Sequence, residues 1–178
     1  IVAGTTGSGK SEFLQAFILS LAVNYSPREI AFVLIDFKGG DMARPFMAKT
    51  NSPALPHLAA TISNLSGNIL YRALVSLQAE IDSRQRRMNE AAKQLGVDKL
   101  DINSYHKYYK SGKLSVPLPH LIIIIDEFAQ LKTQQPAFLT QLINVAQVGS
   151  SLGIHLILAK QKPSGRLRPV FFRNFRFK

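Results

Sequence analysis

A glycine-rich stretch near the start of the chain has the residue types and spacing needed to hold phosphate groups. Residues 4–11 read Gly-Thr-Thr-Gly-Ser-Gly-Lys-Ser, which matches the pattern G-x-x-x-x-G-K-[ST]. Glycines let backbone N–H groups approach phosphate oxygens closely, and a helix that follows directs its positive end toward them. We therefore expect this stretch to bind ATP and Mg²⁺, with Lys10 reaching the β- and γ-phosphates and the Ser11 hydroxyl holding the metal. The predicted binding residues are Gly4, Thr5, Thr6, Gly7, Ser8, Gly9, Lys10, Ser11 and Glu12.

Two adjacent carboxylates, Asp126 and Glu127, follow the longest aliphatic run of the chain, residues 121–125. A phosphate-binding loop of this type needs a second metal contact from a carboxylate at the tip of a neighbouring strand, and Asp126 is the candidate. Glu127 would then orient and polarise the attacking water as a general base. A buried strand followed by a solvated acidic turn is the simpler alternative, but the phosphate-binding pattern favours the paired function.

Other polar segments are less specific. Residues 36–41, which read Asp-Phe-Lys-Gly-Gly-Asp, follow an apolar run and fit a tight turn as well as a functional loop. Gln161 follows another apolar run and could sense the γ-phosphate. The four histidines show no metal-ligand spacing, so a structural role is expected for each. The tyrosines and lysines of residues 105–113 fit a helix that packs its aromatic rings better than a base-stacking surface.

The elements that must position these residues follow from the apolar pattern. Residues 1–3, 30–35, 121–125 and 156–159 are apolar without alternation, as strands buried on both faces are. Helical spacing of apolar residues follows the glycine-rich stretch and recurs over residues 74–95 and 139–146, with Pro136 suited to a first helical turn. This alternation predicts an α/β fold with a parallel sheet, in which ligands bind at the carboxyl ends of the strands.

Composition bounds the class of protein. The 178 residues suit one domain, and the absence of cysteine excludes disulfides and thiolate metal sites and favours a cytoplasmic location. The net charge is +11, but residues 160–178 contain seven basic residues and no acid, leaving 15 basic against 11 acidic residues elsewhere. A basic tail could bind phosphate backbones or anionic lipid, although a disordered end is the favoured interpretation. We expect the chain to be a fragment of a longer polypeptide, with no membrane span or signal peptide of its own.

The motifs taken together resemble the FtsK/SpoIIIE family of P-loop motors, and in particular its type VII secretion branch. The Leu-Pro-His-Leu run at residues 55–58 and the Pro-Leu-Pro-His entry at residues 117–120 favour that branch. The resemblance predicts an FtsK-type ATPase domain over residues 1–165 and a basic tail of uncertain structure over residues 166–178. The matching stretches are residues 4–12, 36–40, 55–65, 102–109, 117–132 and 152–165.

The resemblance implies a RecA-like P-loop NTPase module, a three-layer αβα unit of a larger polypeptide with membrane helices and further ATPase modules. Such a module would work in a ring, expected to be hexameric, at the cytoplasmic face of the membrane, coupling ATP hydrolysis to the export of small secreted proteins. It assigns nucleotide and Mg²⁺ binding to Lys10 and Ser11, the acidic pair to Asp126 and Glu127, and the polar sensor to Gln161.

Two alternatives stay open on the sequence. One is a double-stranded DNA translocase of the same superfamily, which the positive charge permits although no DNA-reading element is present. The other is a regulatory module that binds ATP and hardly hydrolyses it. Three departures from the family pattern motivate it, because Gln147 and Ser150 stand where arginines are usual and Lys160 where a threonine is usual.

Overall fold

The computed structural model describes residues 2–3, 8–36, 41–63 and 67–160. Strands in these ranges are β1 (Val2–Ala3), β2 (Ile30–Ile35), β3 (Leu58–Ile62), β4 (His120–Ile125) and β5 (Ile154–Lys160). The α-helices are α1 (Lys10–Asn24), α2 (Gly67–Leu95), α3 (Ile102–Lys110), α4 (Phe128–Gln134) and α5 (Pro136–Gly149). Short 3-10 helices span Arg44–Phe46 and Ser150–Leu152.

The strands form one sheet in the order β1-β5-β4-β2-β3, and every neighbouring pair is parallel. Strand β4 lies in the middle, where Ile35 of β2 pairs with Ile125 and Leu158 of β5 pairs with the same residue. Strands buried on both faces need continuous apolar runs, which explains why the inner strands β2, β4 and β5 were visible in the sequence. The edge strand β1 was predicted as well. The predicted α/β fold with a parallel sheet is confirmed.

Strand β3 was not predicted. It is an edge strand whose residues alternate between half-buried and exposed without a regular pattern, so neither a continuous apolar run nor clean alternation marks it. Its pairing with β2 is irregular between Phe32 and Val33, where Leu58 and Ala60 are the successive partners. Leu58 and Ile62 pack half-buried against the two cores, so main-chain pairing and partial burial together keep β3 in the sheet.

Helices cover both faces of the sheet, as a three-layer αβα unit requires. Phe32, Leu34, Ile122 and Ile124 point to one side, where they pack with α1 and the segment around Phe46. The alternate residues of the same strands point to the other side and pack with α2, α3, α4 and α5. One strand thus contributes to two cores, because successive side chains of a strand face opposite ways.

The helices predicted over residues 74–95 and 139–146 are confirmed as parts of α2 and α5, and Pro136 lies in the first turn of α5. Helix α3 carries the tyrosine-rich segment, in which Tyr105 is buried, and Asp101 caps it by accepting a hydrogen bond of 2.7 Å from the Ser104 amide. Of the helices described, none combines the length and apolarity that crossing a bilayer demands.

Candidate nucleotide site

The start of α1 is positioned by a glycine. Gly9 has φ 79°, a left-handed conformation that residues with a Cβ rarely adopt, and Lys10 begins the helix immediately after it. The Gly9 carbonyl accepts the first helical hydrogen bond, 2.8 Å from the Phe13 amide. This turn places Lys10 and Ser11 in the first helical turn, where backbone N–H groups lack helical partners and favour anions.

Asp126 is positioned by the central strand. Its amide donates a 3.0 Å hydrogen bond to the Ile35 carbonyl, so the ladder between β2 and β4 continues one residue beyond the last isoleucine. The residue is 4% exposed. Strand β4 lies between β5 and β2, so the Asp126 carboxylate is at the carboxyl edge of the sheet. The backbone of Asp126 is held by its own strand and by the hydrogen bond to β2.

The structure brings Lys10 and Asp126 together across 116 residues of sequence. The Lys10 ammonium Nζ lies 2.7 Å from the carboxylate oxygen Oδ1 of Asp126. The same ammonium donates a 2.6 Å hydrogen bond to the Asp126 main-chain carbonyl. Both residues are buried, so the two opposite charges compensate each other where water has little access. Lys10 of the phosphate-binding pattern and Asp126 of the acidic strand tip are therefore in direct contact.

Glu127 lies between β4 and α4. Its backbone is not helical, with φ −137° and ψ 80°, and the residue is 5% exposed. Helix α4 begins at Phe128, and the buried side chains of Phe128 and Leu131 fix this helix against the core. A second carboxyl group is therefore held next to Asp126 by a short segment that is anchored on both sides.

Asp36 ends the neighbouring strand and organises the turn that follows. The residue is 1% exposed, and its Oδ2 accepts hydrogen bonds from the amides of Met42 at 2.9 Å and Ala43 at 3.4 Å. The Gln15 side chain of α1 donates a 3.0 Å hydrogen bond to the Asp41 carbonyl, which ties this turn to the helix of the site. The hydrogen bonds of Asp36 with residues 42 and 43 agree with the tight turn considered in the sequence analysis. Residues 37–40 lie outside the described ranges.

The residues present suit a hard divalent cation. A serine hydroxyl and a carboxylate are oxygen ligands of the kind that Mg²⁺ prefers. Ser11 follows Lys10 in the first turn of α1, and the contact of Lys10 with Asp126 places the carboxylate beside that turn. Across the described ranges, no group of three or more histidine, cysteine, aspartate or glutamate residues could hold a metal by itself.

The remaining predicted site residues divide into two groups. Ser8 and Glu12 are exposed at the start of α1, beside the half-buried Gly9 and Ser11. Gly4, Thr5, Thr6, Gly7 and Gln161 lie outside the described ranges. Strand β5, which precedes Gln161 in the sequence, lies between β1 and β4.

Comparison with known proteins places this geometry in a family. The FtsK/SpoIIIE family model matches residues 1–165. The type VII secretion system protein EssC of Staphylococcus aureus is 52% identical over 178 residues, covering 100% of this chain and 11% of that protein. The ESX secretion system protein YukB of Bacillus subtilis is 51% identical over 180 residues, again with 100% of this chain and 11% of the relative covered. The chain thus spans about a tenth of the length of these curated relatives.

Solved structures show the same fold. The cytoplasmic domain of the Thermomonospora curvata type VII secretion ATPase EccC superposes with a TM-score of 0.76 at 32% identity, covering 97% of this chain and 19% of that one. ATPases 2 and 3 of EssC from Geobacillus thermodenitrificans give a TM-score of 0.74 at 27% identity, covering 97% and 30%. The predicted RecA-like P-loop architecture is confirmed, with the nucleotide-binding character that it implies. By sequence and by structure, this chain is a P-loop ATPase module that belongs to the FtsK/SpoIIIE family.

Proposed function

We propose that this chain is an ATP-binding and ATP-hydrolysing motor module that drives protein export in type VII secretion. The observation that carries the proposal is the contact of Lys10 with Asp126, which joins the phosphate-binding stretch to an acidic strand tip. The names of the relatives support the secretion branch, since EssC and YukB are both called secretion system proteins.

Each residue of the site has a role that follows from its chemistry. Residues 4–9 would bind the phosphates, and Lys10 would neutralise charge on the β- and γ-phosphates. Ser11 and Asp126 hold Mg²⁺, which when bound neutralises phosphate charge and orients the triphosphate. Glu127 takes the proton from the attacking water, and Gln161 senses the γ-phosphate.

The partners belong to the proposal as well. The module would work beside other ATPase modules of one polypeptide, as the name EssC ATPases 2 and 3 describes for a structural neighbour. It would meet further copies in a ring, expected to be hexameric, and act on secreted proteins. Its place would be the cytoplasmic face of the cell membrane, with the membrane reached through other parts of the polypeptide. Duplex DNA is the competing polymer.

The deciding experiment is steady-state ATP hydrolysis by the intact protein, assayed with a secreted protein substrate, with duplex DNA and with neither. We expect turnover that responds to the secreted protein and not to DNA. Stimulation by DNA alone would favour the translocase. Tight ATP binding without turnover in any condition would favour the regulatory module, which Gln147, Ser150 and Lys160 suggest in the sequence. Gln147 and Ser150 are both exposed in the structure.

A variant tests the assignment of the base. Glu127→Gln keeps the size of the side chain but removes its ability to accept a proton, so ATP binding should persist while turnover falls by at least about a hundredfold. Calorimetry and a phosphate-release assay measure the two quantities on the same preparation. Hydrolysis at the parent rate would exclude Glu127 as the base.

A further inference from the structure

The ammonium of Lys10 takes both of its described polar contacts from a single residue. One contact is with the carboxylate of Asp126 and the other is with the main-chain carbonyl of Asp126, at 2.7 Å and 2.6 Å respectively. Lys10 is 6% exposed and Asp126 is 4% exposed. The Lys10 ammonium, expected to neutralise phosphate, and the Asp126 carboxylate, expected to hold the metal, are therefore paired with each other.

Breaking this pair has an electrostatic cost that depends on what replaces each partner. A buried charge that loses its partner is strongly unfavourable unless another charge takes the vacated place. A triphosphate can replace Asp126 as the partner of Lys10, but it leaves the carboxylate facing additional negative charge. A divalent cation can replace Lys10 as the partner of Asp126. Only the two ligands together supply a partner of opposite charge for both residues.

We propose that the Lys10–Asp126 ion pair is a latch that makes nucleotide binding at this site depend on a divalent metal. The inference rests on the proposed function, because it assumes that ATP binds here. It adds that phosphate and metal exchange with the pair as one coupled event. The coupling is reciprocal, so the metal should also bind weakly when nucleotide is absent.

The first test compares ATP affinity with Mg²⁺ and with EDTA in the intact protein and in the Asp126→Asn variant. Asparagine keeps the shape and one oxygen but removes the charge that holds Lys10. Metal-free ATP should then bind at least about tenfold more tightly than to the parent, and Mg²⁺ should add little, since coupling of this size is typical of linked ligands.

A matched control separates release of the latch from a general loss of negative charge. Glu127→Gln removes one carboxylate at the adjacent position without removing the carboxylate that contacts Lys10. We expect it to raise metal-free ATP affinity much less than Asp126→Asn. Equal gains in the two variants, or no gain in Asp126→Asn, would overturn the latch while leaving the proposed function intact. Failure of the parent to bind ATP with Mg²⁺ would overturn both.

The reciprocal variant covers the case in which Asp126→Asn does not fold. Lys10→Met removes the ammonium and frees the carboxylate, so Mn²⁺ without nucleotide should bind at least about tenfold more tightly than to the parent, as reciprocity demands. Electron paramagnetic resonance of free Mn²⁺ measures this binding directly. An unchanged Mn²⁺ affinity in folded Lys10→Met protein would refute the latch.

Discussion

At the scale of single residues, the site depends on one lysine. Lys10 is the first residue of α1, its side chain is almost fully buried, and its charge is balanced by Asp126. A residue in this position is costly to keep in the core, because a buried ammonium loses its hydration. Such a cost is expected where the charge serves ligand binding.

Lys10→Ala should lower ATP affinity by about 2–4 kcal/mol, since a set of charge-assisted phosphate contacts is lost. Isothermal titration calorimetry with Mg²⁺ present measures the change. Lys93→Ala is the control, because Lys93 is an exposed cation in the last turn of α2. This substitution removes the same formal charge as Lys10→Ala. ATP affinity that does not change in Lys10→Ala would exclude residues 4–11 as the phosphate site.

Arg84 is a second buried cation, with a structural role. The residue is 2% exposed; its Nε donates to Glu80 at 2.8 Å and its Nη1 donates to the Leu152 carbonyl at 2.9 Å. Burial lowers the pKa of the guanidinium, and the neighbouring Glu80 opposes that shift. The arginine thus joins the middle of α2 to the turn before β5.

Arg84→Ala should lower the free energy of unfolding by about 2–4 kcal/mol, because the buried Leu152 carbonyl loses its donor and a cavity forms, whereas the half-exposed Glu80 can be rehydrated. Arg84→Met should cost less, since it keeps much of the volume. Arg86→Ala, an exposed arginine of the same helix, should change stability by less than about 0.5 kcal/mol. Urea unfolding followed by circular dichroism compares the three, and equal losses in Arg84→Ala and Arg86→Ala would contradict this role.

At the scale of elements, α1 departs from a simple amphipathic helix. The sequence predicted a helix from Phe13, Leu14, Phe17, Ile18 and Leu21, and that helix is confirmed. Only Leu14 and Ile18 of this set are buried, whereas Phe13 is 55% exposed. Consecutive residues differ by about 100° around a helix, so Leu14 and Ile18 define the buried stripe and Phe13 lies to one side of it.

The turn before β5 brings two elements into close contact at a glycine. Gly153 has φ 78°, and a Cβ at this position would lie 2.6 Å from Cγ1 of Ile102 in α3. Both the backbone conformation and the contact require glycine. Gly112 has φ 74°, but a Cβ added there would meet no other atom within 4 Å, so it has the conformational requirement alone.

Gly153→Ala should therefore lower the free energy of unfolding by about 2–4 kcal/mol, the sum of backbone strain and overlap with Ile102. Gly112→Ala should cost only about 1–2 kcal/mol, because strain acts there without overlap. The difference between the chemical-denaturation midpoints of Gly153→Ala and Gly112→Ala measures the cost of the overlap with Ile102 alone. Equal costs would show that the contact with Ile102 relaxes freely.

At the scale of the whole molecule, three histidines from distant parts of the sequence meet at the end of the sheet opposite the nucleotide site. His120 of β4 and His155 of β5 are hydrogen-bonded at 2.9 Å between Nδ1 and Nε2. The His106 ring of α3 packs edge-on against His120, and its Nε2 donates to the Leu118 carbonyl at 2.7 Å. Burial, followed by the charges of His106, His155 and Arg84, lowers the pKa of His120 to about 4.

This cluster should make stability depend on pH. An unfolded histidine has a pKa of about 6.5, so the unfolded chain takes up the proton of His120 before the folded chain does. The free energy of unfolding should therefore fall as the pH falls from about 6.5 to about 4. Below about pH 4, His120 is protonated in both the folded and the unfolded chain, so it causes no further loss of stability. Burial lowers the pKa of His155 too, which adds to the effect.

Urea titrations at about pH 7 and about pH 4.5 test this dependence, with His120→Gln as the variant that cannot titrate there. We expect the variant to lose less stability than the parent over the same interval. His57→Gln is the control, since His57 contacts the Tyr25 carbonyl and lies outside the cluster. A loss in His120→Gln as large as in the parent would exclude the cluster as the source.

The sequence by itself determined the parts that depend on residue types at short spacing. Several elements were predictable, because local conformation and burial on both faces leave direct patterns. They are helix α1, the buried runs of β2 and β4, the acidic pair after β4 and the tyrosine-bearing α3. The family resemblance was also recognised from short sequence motifs, such as residues 55–58 and 117–120. Strand β3 left no such pattern, because its side chains are only half-buried or exposed and follow neither a continuous apolar run nor a strict alternation.

Only the tertiary structure decided which distant residues share a contact. Lys10 and Asp126 are 116 residues apart, and their pairing follows from a sheet order in which β5 separates β1 from β4. The burial of Arg84 and the meeting of His106, His120 and His155 depend equally on how helices pack across the strands. Sequence spacing cannot supply this information, because strands and helices of the same local character can be neighbours in several orders, and burial and charge compensation arise only once one order is adopted.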